Sequence, residues 1–443
     1  MDDSISKAEA PSVAAGSASE DGLEPRFQNR NALVFASLWA LIFLAAPVRY
    51  VGFVQAALCK RLETSDTVAN LPSSVYLAMA WFPVVFVWLV PQVRLLKTAM
   101  SLAYGAMAVA SGLVAVVLLA RTSGEIIIGA LIAHAAVMGC AGAVTFTFGW
   151  EALDRGVSGR LRGKALGLAF GWGPAFAVIG SLGAQLLLEG KLLGWQPPTW
   201  MSVAYPYSYV ILFLVCALSM ALSAFLVRSF RIPLPKIEIK RESFSTAVWG
   251  GFKSIVSHKV LLIACAAYLL VYCGNMVQIN MSIFTKEVVG RASEDLAGYQ
   301  LALRFSFKML AGILLGWVLT RTNPKVPLLI TIGLQVAGIL WVLFVPGYWF
   351  LLAFGINGAG ELFGVYYVNY PVACSPKSQV RRNIAFLMLF SSLVGFAPVF
   401  YGWIADSWGL RASFWTALGL LTFTTALVVA KLPAHPKPHA EDT

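Results

Sequence analysis

The chain has 443 residues, a formal net charge of +12, 58% hydrophobic residues and only 12% charged ones. That charge share is about half of what a water-soluble chain carries, and the mean hydropathy of +0.75 excludes an ordinary soluble globular protein. The basic residues stand between apolar runs rather than in one patch, which excludes a nucleic-acid footprint and points to membrane topology.

Residues 1–30 are small and polar, with Pro11, Gly16 and Gly22. They read as a disordered cytoplasmic tail, with no cleavable signal peptide. Apolar runs long enough to cross a bilayer follow near residues 32–58, 71–92, 99–120, 126–150, 164–188 and 206–227. After a polar break they resume near 260–284, 297–319, 326–345, 349–372, 383–404 and 412–431. The expected fold is therefore an all-α membrane protein with twelve transmembrane helices in two six-helix bundles, residues 31–228 and 259–432. The central loop, 229–258, includes a candidate amphipathic surface helix from Phe244 to Val256. A cytoplasmic tail, 433–443, closes the chain.

Counting Lys and Arg fixes an expected orientation. Of the 33, 23 lie on the side shared by both termini and 7 in the opposite loops, with Arg49, Arg304 and Lys308 inside spans. This bias places both termini and the central loop in the cytoplasm of a multi-pass cell-membrane protein. The six cysteines fall mostly within apolar runs without paired spacing, so no disulfide or metal site is expected. His435 and His439 lie in a Pro-rich tail, and the histidines form no metal pattern.

The halves echo each other. Span 5 leads to Leu193-Gly194-Trp195, and span 11 leads to Trp408-Gly409-Leu410-Arg411, each ahead of an aromatic-rich last span. The segment from Gly402 through Asp406 to Phe414 resembles the end of helix 11 and start of helix 12 in the major facilitator superfamily. The stretch from Arg160 to Gly167 looks like that family's loop between helices 4 and 5. The usual glycine-acid-basic signature after helix 2 is replaced by Leu89 to Lys97, and after helix 8 Thr320 stands where an acid is usual. The resemblance covers residues 30–432. It implies two pseudo-symmetric bundles, with helices 1, 4, 7 and 10 lining a central cavity and helices 2, 5, 8 and 11 beside them.

A charge within a span costs several kcal/mol unless it is paired or wet, so the few present are informative. At a rise of about 1.5 Å per residue, Glu361 and Lys308 both lie near mid-depth, with Arg304 one turn outward of Lys308 on the same face. Arg49 lies in the outer half of span 1. If all four face the implied cavity, they form a cationic solute site with one carboxylate as switch. Arg49 and Arg304 read equally as cations snorkelling to the interface, and Lys308–Glu361 as a static ion pair.

Span 7 offers Tyr272, Asn275 and Gln278, and span 10 offers Asn357 and Tyr366, as polar solute contacts or as interhelical glue. His134 in span 4 is a candidate proton carrier beside Glu361, or a packing residue. Glu151, Asp154 and Arg155 read as a gate or as plain interface charges. Gly163, Gly167, Gly171 and Gly173-Pro174 resemble a degraded antiporter motif, or serve tight packing of span 5.

No phosphate-binding loop, hydrolase elbow or cofactor motif appears. The expected function is secondary transport of a small solute by alternating access, without cofactor, enzyme activity or nucleic acid, by a monomer. Three buried cations against one carboxylate favour proton-coupled symport of an organic anion or a polar acidic solute. The alternatives are export of amphipathic compounds, a solute-sensing receptor, and a membrane-embedded enzyme.

Overall fold

A computed structural model describes residues 23–82, 85–86, 92–157, 161, 165–192, 194–196, 198, 203–233, 243, 249, 252–253, 255–367, 370, 389 and 391–436. The stretch from Leu89 to Pro91, most of the loop from Arg160 to Lys164 and most of the candidate surface helix lie outside these residues. So does the segment 371–388.

Among the described residues, helices belonging to twelve spans follow one another in chain order. Helix α1 runs in three pieces, Pro25–Leu44, Ala46–Arg49 and Phe53–Arg61. Helix α2 is Asp66–Ala78 with a 3-10 turn to Trp81. Helix α3 is Leu96–Leu119 and α4 is Gly124–Gly156. Helix α5 opens with a π-helical stretch, Gly167–Trp172, before Gly173–Glu189, and α6 is Tyr207–Val227. The second half repeats the count. Helix α7 is Lys259–Asn275 and Gln278–Val289, α8 is Ser293–Arg321, and α9 is Lys325–Phe344. Helix α10 is broken into Gly347–Leu351, Leu352–Gly360 and Phe363–Tyr366. Helix α11 is Ser392–Gly395 with Phe396–Trp408, and α12 is Leu410–Lys431.

Eight of these are long and apolar enough to cross a membrane as single helices among the described residues. The other four, α1, α2, α10 and α11, are broken or adjoin residues outside the description. Pro47 near the start of its short piece leaves no amide to continue the ladder, and α1 breaks on either side of Ala46–Arg49. Helix α1 also starts earlier and ends later than its apolar run, because polar ends cost nothing outside the hydrocarbon. Ser65 caps α2 by accepting a bond from the Val68 amide, so α2 begins before its apolar run. Gly190 and Gly290, both with φ of 73°, stop α5 and α7 in the left-handed conformation that glycine adopts without strain.

Each half packs its own layers. In the first, α3 packs against both α4 and α6, while α1 lies against α5 and α6. In the second, α8 and α9 flank α10, and α12 packs on α7 and α9. The halves meet along two pairs, α5 with α8 and α2 with α11. Small residues permit this approach. A side chain at Gly298 would strike Ser181 and Gln185, one at Gly395 would strike Ala78, and one at Gly402 would strike Asp66 and Thr67.

Polar bonds fasten the same seam at the face opposite the termini, here called the distal face. Asp406 accepts from the Asp66 amide at 2.8 Å and the Thr67 amide at 2.9 Å, so α11 caps the start of α2. Arg61 pairs with Glu294, which also accepts from the Tyr209 hydroxyl at 2.9 Å. Gln185 donates to the Asp295 carbonyl and accepts from the Tyr299 amide at 3.0 Å. Deeper in, Asn70 donates to Asn280 at 2.8 Å, and Asn280 donates to the Tyr401 carbonyl and to Ser413, each at 2.9 Å.

Candidate functional site

The buried charges gather as an ion cluster between α8 and α10. Glu361 stands where α10 is interrupted, between its Leu352–Gly360 and Phe363–Tyr366 pieces. One carboxylate oxygen lies 2.6 Å from Arg304 Nε and the other 3.0 Å from Lys308 Nζ. The Glu361 side chain is 6% exposed, against 18% for Arg304 and 30% for Lys308. One carboxylate thus holds two cations a helical turn apart, which a buried charge requires for solvation.

Glycine sets that geometry. Gly358 lies against the Arg304 backbone, and a side chain there would collide with it. Gly360 packs on α9, where Gln335 donates to its carbonyl at 3.2 Å. The two contacts hold α10 close against α8 and α9 at the level of the carboxylate. The Arg304 guanidinium also lies over the Phe53 ring at 5.3 Å, a cation–π contact reaching into the first half.

Arg49 sits apart from this cluster. It is 6% exposed, and its only hydrogen bond among the described residues is donated to the Tyr76 hydroxyl at 3.3 Å, with Nε unpartnered there. The guanidinium fills space over Gly142 of α4 that any Cβ would occupy. Aromatic rings lie around the two centres. The Tyr50 ring, next to Arg49, is 5.7 Å from that of Phe305 on α8, and the Tyr272 ring of α7 is 5.6 Å from that of Phe363 on α10. With the Arg304–Phe53 contact, groups of α1 meet groups of α8 between the halves.

The remaining predicted positions are placed differently. Gln278 donates to Asn275 at 3.0 Å, both buried at the break in α7. Asn357 donates to the Ala353 carbonyl at 3.1 Å and abuts Gly338 of α9, so it packs between helices rather than on the ion cluster. Tyr366 is buried in the last helical piece of α10. His134 lies among α3, α4 and α6, 3.3 Å from the Ser111 hydroxyl and 5.3 Å from the Phe213 ring centre. Arg155 pairs with Glu151 at 2.9 Å within α4, and the side chain of Asp154 lies outside the described residues.

Sequence reasoning passed over Tyr50, Tyr76, Asn70 and Asn280, and gave Asp406 no role beyond its place in the segment Gly402 to Phe414. Tyr50 had one usable signal, its place beside an intramembrane arginine and between Pro47 and Gly52. Aromatic walls flank the centre. Trp39, Phe146, Trp150 and Phe170 touch across α1, α4 and α5, with Trp39 and Phe170 centred 4.6 Å apart. On the other side Tyr268, Tyr272, Phe363 and Tyr367 form a second group. A separate groove of about 430 Å³ among α7, α11 and α12, lined by Cys273, Phe400 and Trp415, carries no charged residue.

A family model described as the Major Facilitator Superfamily matches residues 288–443, from the end of α7 to the C-terminus. Solved structures match over nearly the whole chain. The nucleoside transporter NupG is 14% identical, over 90% of this chain and 98% of its own, with a TM-score of 0.63. The chain has the fold of the major facilitator superfamily. A D-xylose-proton symporter with this major facilitator fold matches at 13% identity, over 92% of this chain and 99% of its own, with a TM-score of 0.64. An inward-facing bacterial homolog of the human lysosomal transporter Spinster matches at 15% identity, over 92% and 97%, with a TM-score of 0.65. No curated protein matches the chain. The two pseudo-symmetric bundles implied by the sequence are those of the major facilitator fold, and the chain is a multi-pass membrane protein.

Proposed function

We propose that this protein is a secondary transporter that carries an organic anion together with a proton by alternating access. The observation that carries the reading is Glu361, a buried carboxylate holding both Arg304 and Lys308. Ionised, it pairs both cations and offsets one of their two charges. Protonated, it releases charge that an anionic solute replaces. Proton and anion then favour each other's binding, and thermodynamic linkage makes that coupling reciprocal. No nucleotide is needed. The proton symport of the D-xylose carrier with the same fold gives the reading a precedent. The sealed distal seam is consistent with a site reached from the terminal face, and the basic-residue bias assigns that face to the cytoplasm.

The test separates binding from coupling. Glu361→Gln imitates the protonated carboxyl. Reconstituted in liposomes, it should still exchange solute across the membrane but should no longer concentrate it under an imposed pH gradient. Accumulation at the wild-type level would remove Glu361 from the coupling role. His134, away from the ion cluster but buried, would then be examined next. A second reading, export of amphipathic compounds, draws on the half-exposed rings of Phe146, Trp150 and Phe170. It predicts efflux of neutral aromatic compounds that Lys308→Gln leaves unchanged.

A further inference from the structure

We propose that Arg49 is the primary carboxylate-binding group and that the solute is a monocarboxylate with a flat aryl body. The inference rests on the anion-transport reading and narrows its substrate class. The argument begins with charge. Arg304 and Lys308 share Glu361, but among the described residues Arg49 has no carboxylate within ion-pair distance. A buried guanidinium with a single neutral partner at 3.3 Å and an unpartnered Nε is under-solvated. Its planar fork is matched by a carboxylate, which accepts two parallel bonds. One carboxylate group is sufficient to pair this guanidinium.

Shape supplies the rest. Gly142 lets the guanidinium lie directly against α4, where a Cβ would collide with it. Phe146 stands one turn along α4 from Gly142, and Trp150 one turn further, so all three share a face. Phe146 and Phe170 close that face with Trp39, and Trp150 stacks on Phe170 at an interplanar angle of 13°. Phe146, Trp150 and Phe170 remain 37–44% exposed although rings from three helices converge there. The π-helical stretch that carries Phe170 touches α8, and Trp39 packs on Phe43, whose ring lies 6.1 Å from that of Phe305, so this wall adjoins the second half. An aryl ring seated on it keeps its acid group at Arg49. Protonation of Glu361 then frees Lys308 to meet the same carboxylate from the other half.

The experiment measures binding of phenylacetate, phenylacetamide and acetate to the purified full chain near neutral pH, by calorimetry and by thermal stabilisation. Wild type should prefer phenylacetate to each of the others by about tenfold or more, the size of a charge-assisted contact and of a buried ring. Arg49→Gln should bind the acid and the amide alike while keeping wild-type affinity for the amide, which reports an intact fold. Gly142→Ala keeps the charge but displaces the guanidinium, and should lower acid binding selectively. Phe146→Ala should weaken acid and amide together. Retained acid preference in Arg49→Gln, or equal binding of acetate and phenylacetate by wild type, overturns the inference. If a non-aromatic anion is accumulated with protons while phenylacetate neither binds nor competes, this inference fails and the transport reading stands. If phenylacetate binds through Arg49 but Glu361→Gln still concentrates it, the coupling reading fails and this one stands.

Discussion

Lys308 and Arg304 share one carboxylate but not one environment. Lys308 is the more exposed, at 30% against 18%, so solvent already screens part of its attraction to Glu361. Removing it costs little folding energy, because Arg304 still neutralises Glu361. Its loss should instead fall on solute binding, where a desolvated charged hydrogen bond contributes about 1.5–3 kcal/mol. Lys308→Gln should therefore weaken solute affinity about tenfold or more and shift thermal unfolding only slightly, as ligand titration and a melting curve on one preparation would show. A large melting shift with unchanged affinity would mark the ion pair as purely structural. The depth arithmetic brought Lys308 and Glu361 to one level from sequence alone, because charges in apolar runs are rare and the helical rise is fixed. Tyr50 and Tyr76 were illegible by the same rule, since a tyrosine in a span is unremarkable until its neighbours are known. Asn275, Gln278 and Asn357 carry the polarity expected of contact residues, but the first two bond each other and the third packs on α9.

At the scale of elements, the interruptions matter more than the helices. Apolar length marked twelve runs in the sequence, and eight of them are uniform helices among the described residues. The breaks in α1 and α10 sit beside Arg49 and at Glu361, and only the glycines and Pro47 hinted at them. Broken helices near mid-depth are where carriers of several folds place their sites, because irregular backbone is tolerated only where it is buried in protein or lines a cavity. Gly358 holds α10 against the Arg304 backbone. Gly358→Ala must push the two helices apart, and overpacking of this kind costs about 1–3 kcal/mol. The expected result is a lower melting temperature together with loss of pH-driven accumulation, since the displaced carboxylate no longer spans both cations. Unaltered accumulation in a destabilised variant would show that coupling does not depend on this spacing.

For the molecule as a whole, the two six-helix halves and their order were legible because hydrophobic length and basic bias are global properties. The seam was not, because it is built from residues hundreds of positions apart, such as Thr67 with Asp406. Asp406 and Glu294 fasten the distal face through bonds to exposed partners. Asp406→Asn combined with Glu294→Gln should loosen that face without touching the ion cluster. A cysteine placed at Thr67 should then react faster with a membrane-impermeant thiol reagent added on the distal side. An unchanged reaction rate would mean that backbone packing at Gly298, Gly395 and Gly402 holds the seam unaided.

The composition of that seam also bears on temperature. Parting the halves wets the Ala78–Gly395 contact, which is apolar, and the Asn70–Asn280 amide contact, which is polar. Hydrating apolar surface raises heat capacity, and hydrating polar surface lowers it. The two opposing changes offset each other within one hinge line. Under the proposed alternating access, the balance between two orientations should then drift only gently as the bilayer warms or cools, unlike an all-apolar joint, whose grip would weaken in the cold.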